Sequence, residues 1–141
     1  MSYQIIYSSQ ATNSMSSANL EQILKDARTG NKKRDITGVL VYFEDVFVQI
    51  LEGEKDAVCE LMVSIARDSR HHSLKIFYEA EVEKRAFESW SMAYLSPTAE
   101  EMSNWAGLEG TETIDNLLAH LHREPDRVPR ILISLVEALA E

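Results

Sequence analysis

The sequence predicts an α+β domain of the ferredoxin-like plan, with elements in the order βαββαβ followed by a fifth strand and a helical tail. Short aromatic and β-branched runs alternate with two segments of helical spacing. Two of the runs are separated by only two residues, as in a β-hairpin. We therefore expect an antiparallel or mixed sheet with two helices on one face and the C-terminal helices on the other.

The first strand and the first helix have clear local signals. Residues 3–8 are aromatic and β-branched and predict a strand. Ser16 is suited to an N-cap, with Met15 and Leu20 placed to form a hydrophobic staple across it. Gly30 is predicted to end the helix, because glycine readily adopts the left-handed conformation found there.

The later elements follow from hydrophobic periodicity and turn residues. They are the hairpin strands 36–43 and 46–51, a helix at 55–67, strands at 74–82 and 90–95, and helices within 98–141. In the ferredoxin-like plan the first and third strands lie side by side at the centre of the sheet. We therefore expect residues 3–8 to pair with 46–51.

Composition excludes several classes of protein. The net charge of −9 disfavours binding to nucleic acid and to anionic membranes. Cys59 is the only cysteine, so no internal disulfide can form, which fits a reducing compartment. No run reaches the roughly 18 apolar residues of a membrane span. We expect a cytoplasmic protein that binds neither nucleic acid nor membrane.

Five residues stand out from an ordinary core, although each one taken singly also fits a structural role. Gln49 lies in an otherwise apolar strand, where a buried amide needs partners and could bridge to a backbone group. Tyr7 could be a half-buried strand tyrosine, and Asn31 fits turn chemistry. Trp90 and Met92 share a strand face and could be core residues. Tyr7 and Gln49 on the same face of neighbouring strands are harder to explain this way.

Familiar catalytic patterns are absent from the sequence. The corner containing Asp68, Arg70, His71 and His72 lacks regular metal-ligand spacing, so a solvated corner is favoured, with an anion-binding corner as an alternative. No glycine-rich phosphate loop and no nucleophile elbow is present. We predict neither a metal site nor an enzyme.

In order and spacing, several motifs between residues 3 and 95 resemble those of the BLUF domain, a flavin-binding sensor of blue light. They are Tyr7-Ser8-Ser9, Asn31, Ile36-Thr37-Gly38, Phe47-Val48-Gln49-Ile50-Leu51-Glu52-Gly53-Glu54, Asp68-Ser69-Arg70-His71, Arg85-Ala86-Phe87 and Trp90-Ser91-Met92. The resemblance implies a flavin-binding domain over 1–97, with the cofactor held non-covalently between the two helices. It further implies a helical extension over 98–141 that packs on the sheet.

The resemblance also implies roles for individual residues. Tyr7 would pass an electron and a proton towards the excited flavin, and Gln49 would rearrange its hydrogen bonds in response. Asn31 would bind the ring carbonyl region. Ile23 and Ile65 would line the ring pocket. Asp68, Arg70 and His71 would approach the ribityl and phosphate end. Trp90 and Met92 would relay the signal along the fifth strand. The implied cofactor is FAD, with FMN as the alternative.

The output implied by the resemblance is a change in protein–protein contact. The helical tail has apolar residues on more than one side, which predicts a homo-oligomer or the binding of a downstream signalling protein. Two alternatives stay open because fold alone does not fix function. One is an enzyme of the acylphosphatase or small-oxygenase kind, and the other is a colourless ligand-binding or oligomerisation module.

Overall fold

The computed structural model describes residues 2–87, 92–96, 122–123 and 125–130, and its elements follow the predicted order. The elements are β1 (Ser2–Ala11), α1 (Ser17–Arg34), β2 (Thr37–Phe43), β3 (Val46–Gly53), α2 (Lys55–Ala66), β4 (His71–Val82), β5 (Ala93–Leu95) and a 3-10 turn at Pro125–Arg127. The strands form one sheet in the order β4-β1-β3-β2-β5. All neighbours are antiparallel except β2 and β5. The predicted mixed sheet with β1 beside β3 is confirmed.

Alternating side chains along each strand build an apolar cluster on each face of the sheet. The helix-side cluster combines strand residues with residues of both helices: Ile5, Tyr7, Ala11, Leu24, Ile36, Leu40, Tyr42, Phe47, Leu51, Val58, Met62 and Met92. The opposite cluster contains Ile6, Val39, Val41, Phe43, Val46, Val48, Ile50, Phe87, Leu95 and Val128. Both helices therefore pack on the same face, as predicted, and a residue of the C-terminal segment packs on the other.

Helix α1 begins where the sequence predicted. Ser16 Oγ accepts a hydrogen bond from Asn19 N at 3.1 Å, and Asn19 Oδ1 accepts one from Ser16 N at 3.2 Å. These reciprocal bonds satisfy two of the free N–H groups at the helix start. Met15 and Leu20 both pack against the helix-side cluster, where the staple was expected.

The prediction that Gly30 ends α1 is wrong, because the helix continues to Arg34. The residue in the left-handed conformation is Asp35, with φ of 53°, and Ile36 N then donates to Asn31 O at 2.9 Å. This local cap at the C-terminus of α1 outweighs the roughly 1 kcal/mol that glycine costs inside a helix. As a result Asn31 lies in the last turns of α1 rather than in a loop.

The β2–β3 hairpin has the tight turn that the sequence indicated. Glu44 and Asp45 have φ of 46° and 65°, the positive values of a two-residue hairpin turn. Tyr42 Oη donates to Asp45 Oδ1 at 2.6 Å and holds this conformation. Further along the hairpin, a Cβ at Gly38 would lie 1.9 Å from Ile50 O, so the close pairing of β2 and β3 requires glycine there.

The last two strands differ from their predicted limits. β4 begins at His71 rather than at residue 74, because its pairing with β1 extends to the Ala11–His71 pair. In the described segment 92–96, strand pairing covers Ala93–Leu95. Residues 88–91, which include the start of the predicted fifth strand, lie outside the described residues.

Glu52 is a fully buried carboxylate on the face opposite the helices. Its oxygens accept hydrogen bonds from Gln4 Nε2 at 2.9 Å, Ala86 N at 2.9 Å and Phe87 N at 2.7 Å. Three donors compensate for the loss of water around the buried group. Glu52 thereby fastens the segment that follows β4 to the centre of the sheet.

We expect Glu52→Gln to lower the free energy of unfolding by about 2–3 kcal/mol, because an amide would direct its own N–H groups at donors that need an acceptor. Urea unfolding measures the change. Glu54→Gln is the matched control, since Glu54 is exposed and makes no side-chain cap to α2. Equal stability of the two variants would contradict this role for Glu52.

The described part of the C-terminal segment contacts the sheet face opposite the helices. His122 Nε2 shares a hydrogen bond with Ser8 Oγ at 3.0 Å, and its ring lies 4.5 Å from the Phe77 ring. Burial, with Lys75 as a second cause, lowers the pKa of His122 and so favours the neutral ring. Most of 98–141 lies outside the described residues, so the helical extension stays a prediction. Within the described ranges, no helix is long and apolar enough to cross a membrane.

Candidate functional site

A cavity of about 230 Å³ opens on the helix-side face of the sheet, between α1 and α2. A single water needs only roughly 10–15 Å³ of such space. The lining residues come from both helices, four strands and the corner after α2: Tyr7, Ile23, Asp26, Ala27, Asn31, Leu40, Phe47, Gln49, Leu61, Ser64, Ile65, Asp68, Arg70 and His71. A mainly apolar concave wall with a few polar groups is typical of a small-molecule site.

Tyr7 and Gln49 form a buried hydrogen-bonded pair on the cavity wall. They are directly opposite each other in the β1–β3 register, and Tyr7 Oη donates to Gln49 Oε1. Burial, with the charge of Asp68 as a smaller cause, raises the pKa of Tyr7. The phenol therefore remains protonated and acts as the donor in this pair. The predicted proximity of the two side chains is confirmed.

The other end of the Gln49 amide is directed towards β5. Gln49 Nε2 donates to Met92 Sδ at 3.4 Å, and Met92 is buried. Thioether sulfur is a weak acceptor and has no hydrogen to donate. Tyr7, Gln49 and Met92 thus form a continuous hydrogen-bonded chain in which Met92, the predicted relay residue, contacts Gln49. Trp90, the other predicted relay residue, lies outside the described residues.

Asn31 is the clearest sign that the cavity is built for a polar ligand. Its side chain is buried on α1, and neither Oδ1 nor Nδ2 has a hydrogen-bond partner within the described structure. Leaving one such group unpaired costs about 1–3 kcal/mol. A ring edge with neighbouring C=O and N–H groups, such as the pyrimidine edge of a flavin, would satisfy both atoms. The residues present therefore fit a flavin.

Arg70 and two carboxylates form the charged rim of the cavity. Arg70 Nε lies 2.9 Å from Asp68 Oδ1, and Arg70 Nη1 lies 3.3 Å from Asp26 Oδ2. The bonds from Arg70 hold the pKa of Asp68 below its usual range. The Arg70 side chain is 40% exposed, so it can also meet a polar or anionic group of a ligand at the rim.

His71 is held by protein groups at both ring nitrogens. Its Nε2 donates to Ile65 O at 2.6 Å, and Nδ1 shares a hydrogen bond with Ser9 Oγ at 2.7 Å. The ring stands edge-on to Tyr7 and Phe47, with centroids 6.3 Å from each. His71 therefore braces the wall beside the Tyr7 phenol. Among the described residues, no group of three or more His, Cys, Asp or Glu side chains is arranged to hold a metal.

The two predicted ring-pocket residues, Ile23 and Ile65, line the cavity from opposite helices. Other lining residues were missed: Asp26, Ala27, Leu40, Phe47, Leu61 and Ser64. Helical spacing could have found several of them. Ala27 lies four residues after Ile23 and four before Asn31, and Leu61 lies four before Ile65, so each shares a helix face with a predicted residue.

Comparison with known proteins identifies the family of this chain. The model of BLUF, "sensors of blue-light using FAD", matches residues 2–93. Subunit beta of the photoactivated adenylate cyclases of Euglena longa and Euglena gracilis is 36% identical over 106 residues, which is 74% of this chain and 12% of each relative. The chain thus spans about an eighth of the length of these curated relatives.

Solved structures agree with this match. The dark-state structure of the BLUF protein BlrB superposes with a TM-score of 0.77 at 27% identity, covering 94% of this chain and 96% of that one. The ground state of BlsA gives 0.71 at 30% identity, covering 88% and 87%. A bacterial light-regulated adenylyl cyclase gives 0.65 at 26% identity, with coverage of 95% of this chain and 36% of the cyclase. With its ferredoxin-like sheet and its cavity between α1 and α2, the chain belongs to the BLUF family of flavin-using blue-light sensors.

Proposed function

We propose that this chain is a blue-light receptor that holds FAD in the cavity between α1 and α2 and signals through the chain of Tyr7, Gln49 and Met92. The observation that carries this proposal is the amide of Gln49, which is buried between a phenol donor and a thioether acceptor on the cavity wall. An amide can present either its N–H or its C=O to the same neighbour. Gln49 is therefore a two-position switch.

The proposed cofactor contacts divide between the interior and the rim of the cavity. Asn31 pairs with the polar edge of the ring, and Ile23 and Ile65 contact its faces. Asp68 and Arg70 serve the ribityl and phosphate end, where Arg70 supplies the positive charge, and His71 braces the wall beside Tyr7. A bound flavin supplies absorption of blue light and an excited-state oxidant that takes an electron from a nearby phenol.

The switch follows from the chemistry of its three side chains. The Tyr7 proton is directed at Gln49 Oε1, so a phenol that has lost an electron would pass that proton to the amide oxygen along the existing hydrogen bond and would regain both the electron and the proton when the charges recombine. A hydroxyl both donates and accepts, so Tyr7 can bond either end of the Gln49 amide. Met92 Sδ only accepts. Exchange of the amide ends therefore removes the hydrogen bond from Gln49 to Met92. The position of Met92, which directly precedes β5, thus depends on the orientation of Gln49.

The proposed output is an altered contact with another protein or with a second copy of this chain, in the cytoplasm. Met92 directly precedes β5, which pairs with β2 over Ala93–Leu95. Relatives named as photoactivated adenylate cyclase subunits support an output of this kind, because they couple a related segment to a larger protein. A downstream partner and a homo-oligomer formed through the C-terminal helices are both compatible with the proposal, whereas turnover of a substrate is not part of it.

Absorption spectroscopy of the purified protein tests the proposal. We expect a yellow protein whose flavin spectrum moves to longer wavelength under blue light and returns in the dark. Chromatography of the released cofactor distinguishes FAD from FMN. A colourless protein after incubation with either flavin would favour the colourless ligand-binding or oligomerisation module. A flavin spectrum that blue light leaves unchanged would contradict the proposed light response.

Asn31→Leu should separate cofactor binding from folding. A leucine removes two unpaired polar atoms, so we expect the flavin-free protein to be as stable as the unsubstituted protein or more stable. We expect flavin affinity to fall about 10- to 100-fold, because two hydrogen bonds to the ligand are lost. Thermal melting of the flavin-free protein and fluorescence titration measure the two effects. Unchanged affinity would show that the amide does not contact the flavin.

A further inference from the structure

Arg28 connects α1 to the segment that carries Met92. Arg28 Nε donates to the Met92 carbonyl oxygen at 3.1 Å, in a partly buried bond between residues 64 positions apart. Arg28 lies three residues before Asn31 and one after Ala27, and both of those line the cavity. The same turns of α1 therefore contribute to the cavity wall and reach the start of β5.

Met92 is held at two points by two different elements. Gln49 on β3 bonds its sulfur, and Arg28 on α1 bonds its backbone carbonyl. The pairing of β5 with β2 starts one residue later, at Ala93 and Val39. Arg28 thus fixes the main chain at the residue whose side chain meets the amide switch, and a guanidinium makes this a charge-assisted bond.

We propose that Arg28 is a positioning residue that keeps Met92 Sδ within reach of Gln49 and thereby sets how quickly the light-adapted state returns to the dark state. This inference rests on the proposed function. In the structure the Met92 sulfur accepts an N–H from Gln49, and the proposed function assigns this orientation of the amide to the dark state. The sulfur has no hydrogen to donate to the carbonyl end of the amide. When Met92 Sδ is held near Gln49, it therefore favours the return of the amide to its dark orientation. When Met92 Sδ lies farther from Gln49, this hydrogen bond no longer favours the return.

The test is the rate of dark recovery of the flavin spectrum in the full chain. We expect Arg28→Ala to slow recovery about two- to fivefold, the effect of weakening the hydrogen bond from Gln49 Nε2 to the weak acceptor Met92 Sδ. Arg28→Lys, which keeps a donor, should recover at a rate nearer that of the unsubstituted protein. Lys25→Ala is the matched control, because it removes one positive charge from an exposed position one turn earlier on α1 and should leave the rate unchanged.

Met92→Leu tests whether Arg28 acts through Met92, since leucine keeps the volume of methionine and lacks the sulfur acceptor. We expect Arg28→Ala to add no further slowing in the Met92→Leu protein. In the dark, Arg28→Ala should also move the Met92 methyl resonance of ¹³C-methionine-labelled protein, whereas Lys25→Ala should not. Alanine is a strong helix former, so we expect Arg28→Ala to keep the melting temperature of the unsubstituted protein. An unchanged melting temperature excludes unfolding as the cause of slower recovery.

The outcomes distinguish this inference from the proposed function. Suppose that the flavin spectrum of the unsubstituted protein shifts reversibly. If Arg28→Ala then recovers at the same rate as the unsubstituted protein, or slows recovery as much in the Met92→Leu protein as in the unsubstituted one, the role of Arg28 is wrong and the proposed function stands. If the unsubstituted protein shows no reversible shift, the proposed function is wrong and the role of Arg28 falls with it.

Discussion

Tyr7→Phe is expected to abolish the reversible red shift of the flavin spectrum while leaving the cofactor bound. The substitution removes only the phenol oxygen, so the apolar ring stays in the helix-side cluster. Gln49 Oε1 loses the proton donor that it faces in the structure. Without a proton to follow the electron, the exchange of the amide ends has no trigger. Difference absorption spectra before and after blue light measure the loss.

Tyr42→Phe is the matched control for this experiment. Tyr42 belongs to the same helix-side cluster and also donates through its hydroxyl, but to Asp45 in the hairpin turn. We expect this variant to keep the full light-induced shift. A normal reversible shift in Tyr7→Phe would overturn the proposed switch, whatever the control does.

Gln49→Leu is expected to have an equally large effect on the spectrum, together with a cost in stability. The amide that exchanges its ends is gone, so no red-shifted state should form. The Tyr7 hydroxyl is left buried without an acceptor, which should lower the free energy of unfolding by about 1–3 kcal/mol. Light-induced difference spectra and urea unfolding measure the two effects.

Two further variants make the Gln49 experiment selective. Adding Tyr7→Phe removes the orphaned hydroxyl, so the double variant should regain part of the stability lost in Gln49→Leu. Gln4→Leu changes the other buried glutamine of the central strands, which bonds Glu52 on the opposite face. It should destabilise the protein but retain the light-induced shift. A full shift in Gln49→Leu would exclude the amide as the switch.

Local patterns predicted the framework of the site well. The alternation of β3 placed Gln49 with Phe47 and Leu51 on one face, and the ferredoxin-like plan placed β1 beside β3. These two inferences suffice to bring Tyr7 to Gln49. The Ser16 cap was predictable for the same reason, because a capping interaction depends on residues that are neighbours in sequence.

Features that depend on distant contacts were not predictable from local patterns. The end of α1 was misplaced at Gly30 because Asp35, a residue other than glycine, adopts the left-handed conformation that ends the helix. The donors to Glu52 are the Gln4 amide and two backbone N–H groups, all more than 30 positions away. The bond from Arg28 to the Met92 carbonyl has no sequence signature, since any residue supplies a carbonyl. Such contacts appear only once the fold has brought the segments together.

The unpaired amide of Asn31 and the cavity beside it link the cellular supply of cofactor to the abundance of this protein. A ligand that binds only the native state adds RT ln(1 + [L]/Kd) to stability, about 2.7 kcal/mol when its free concentration is 100 times Kd. Chains made while flavin is scarce lack that contribution and unfold more often. Proteolysis of unfolded chains would then remove the colourless molecules preferentially. The population that survives is the one able to absorb light.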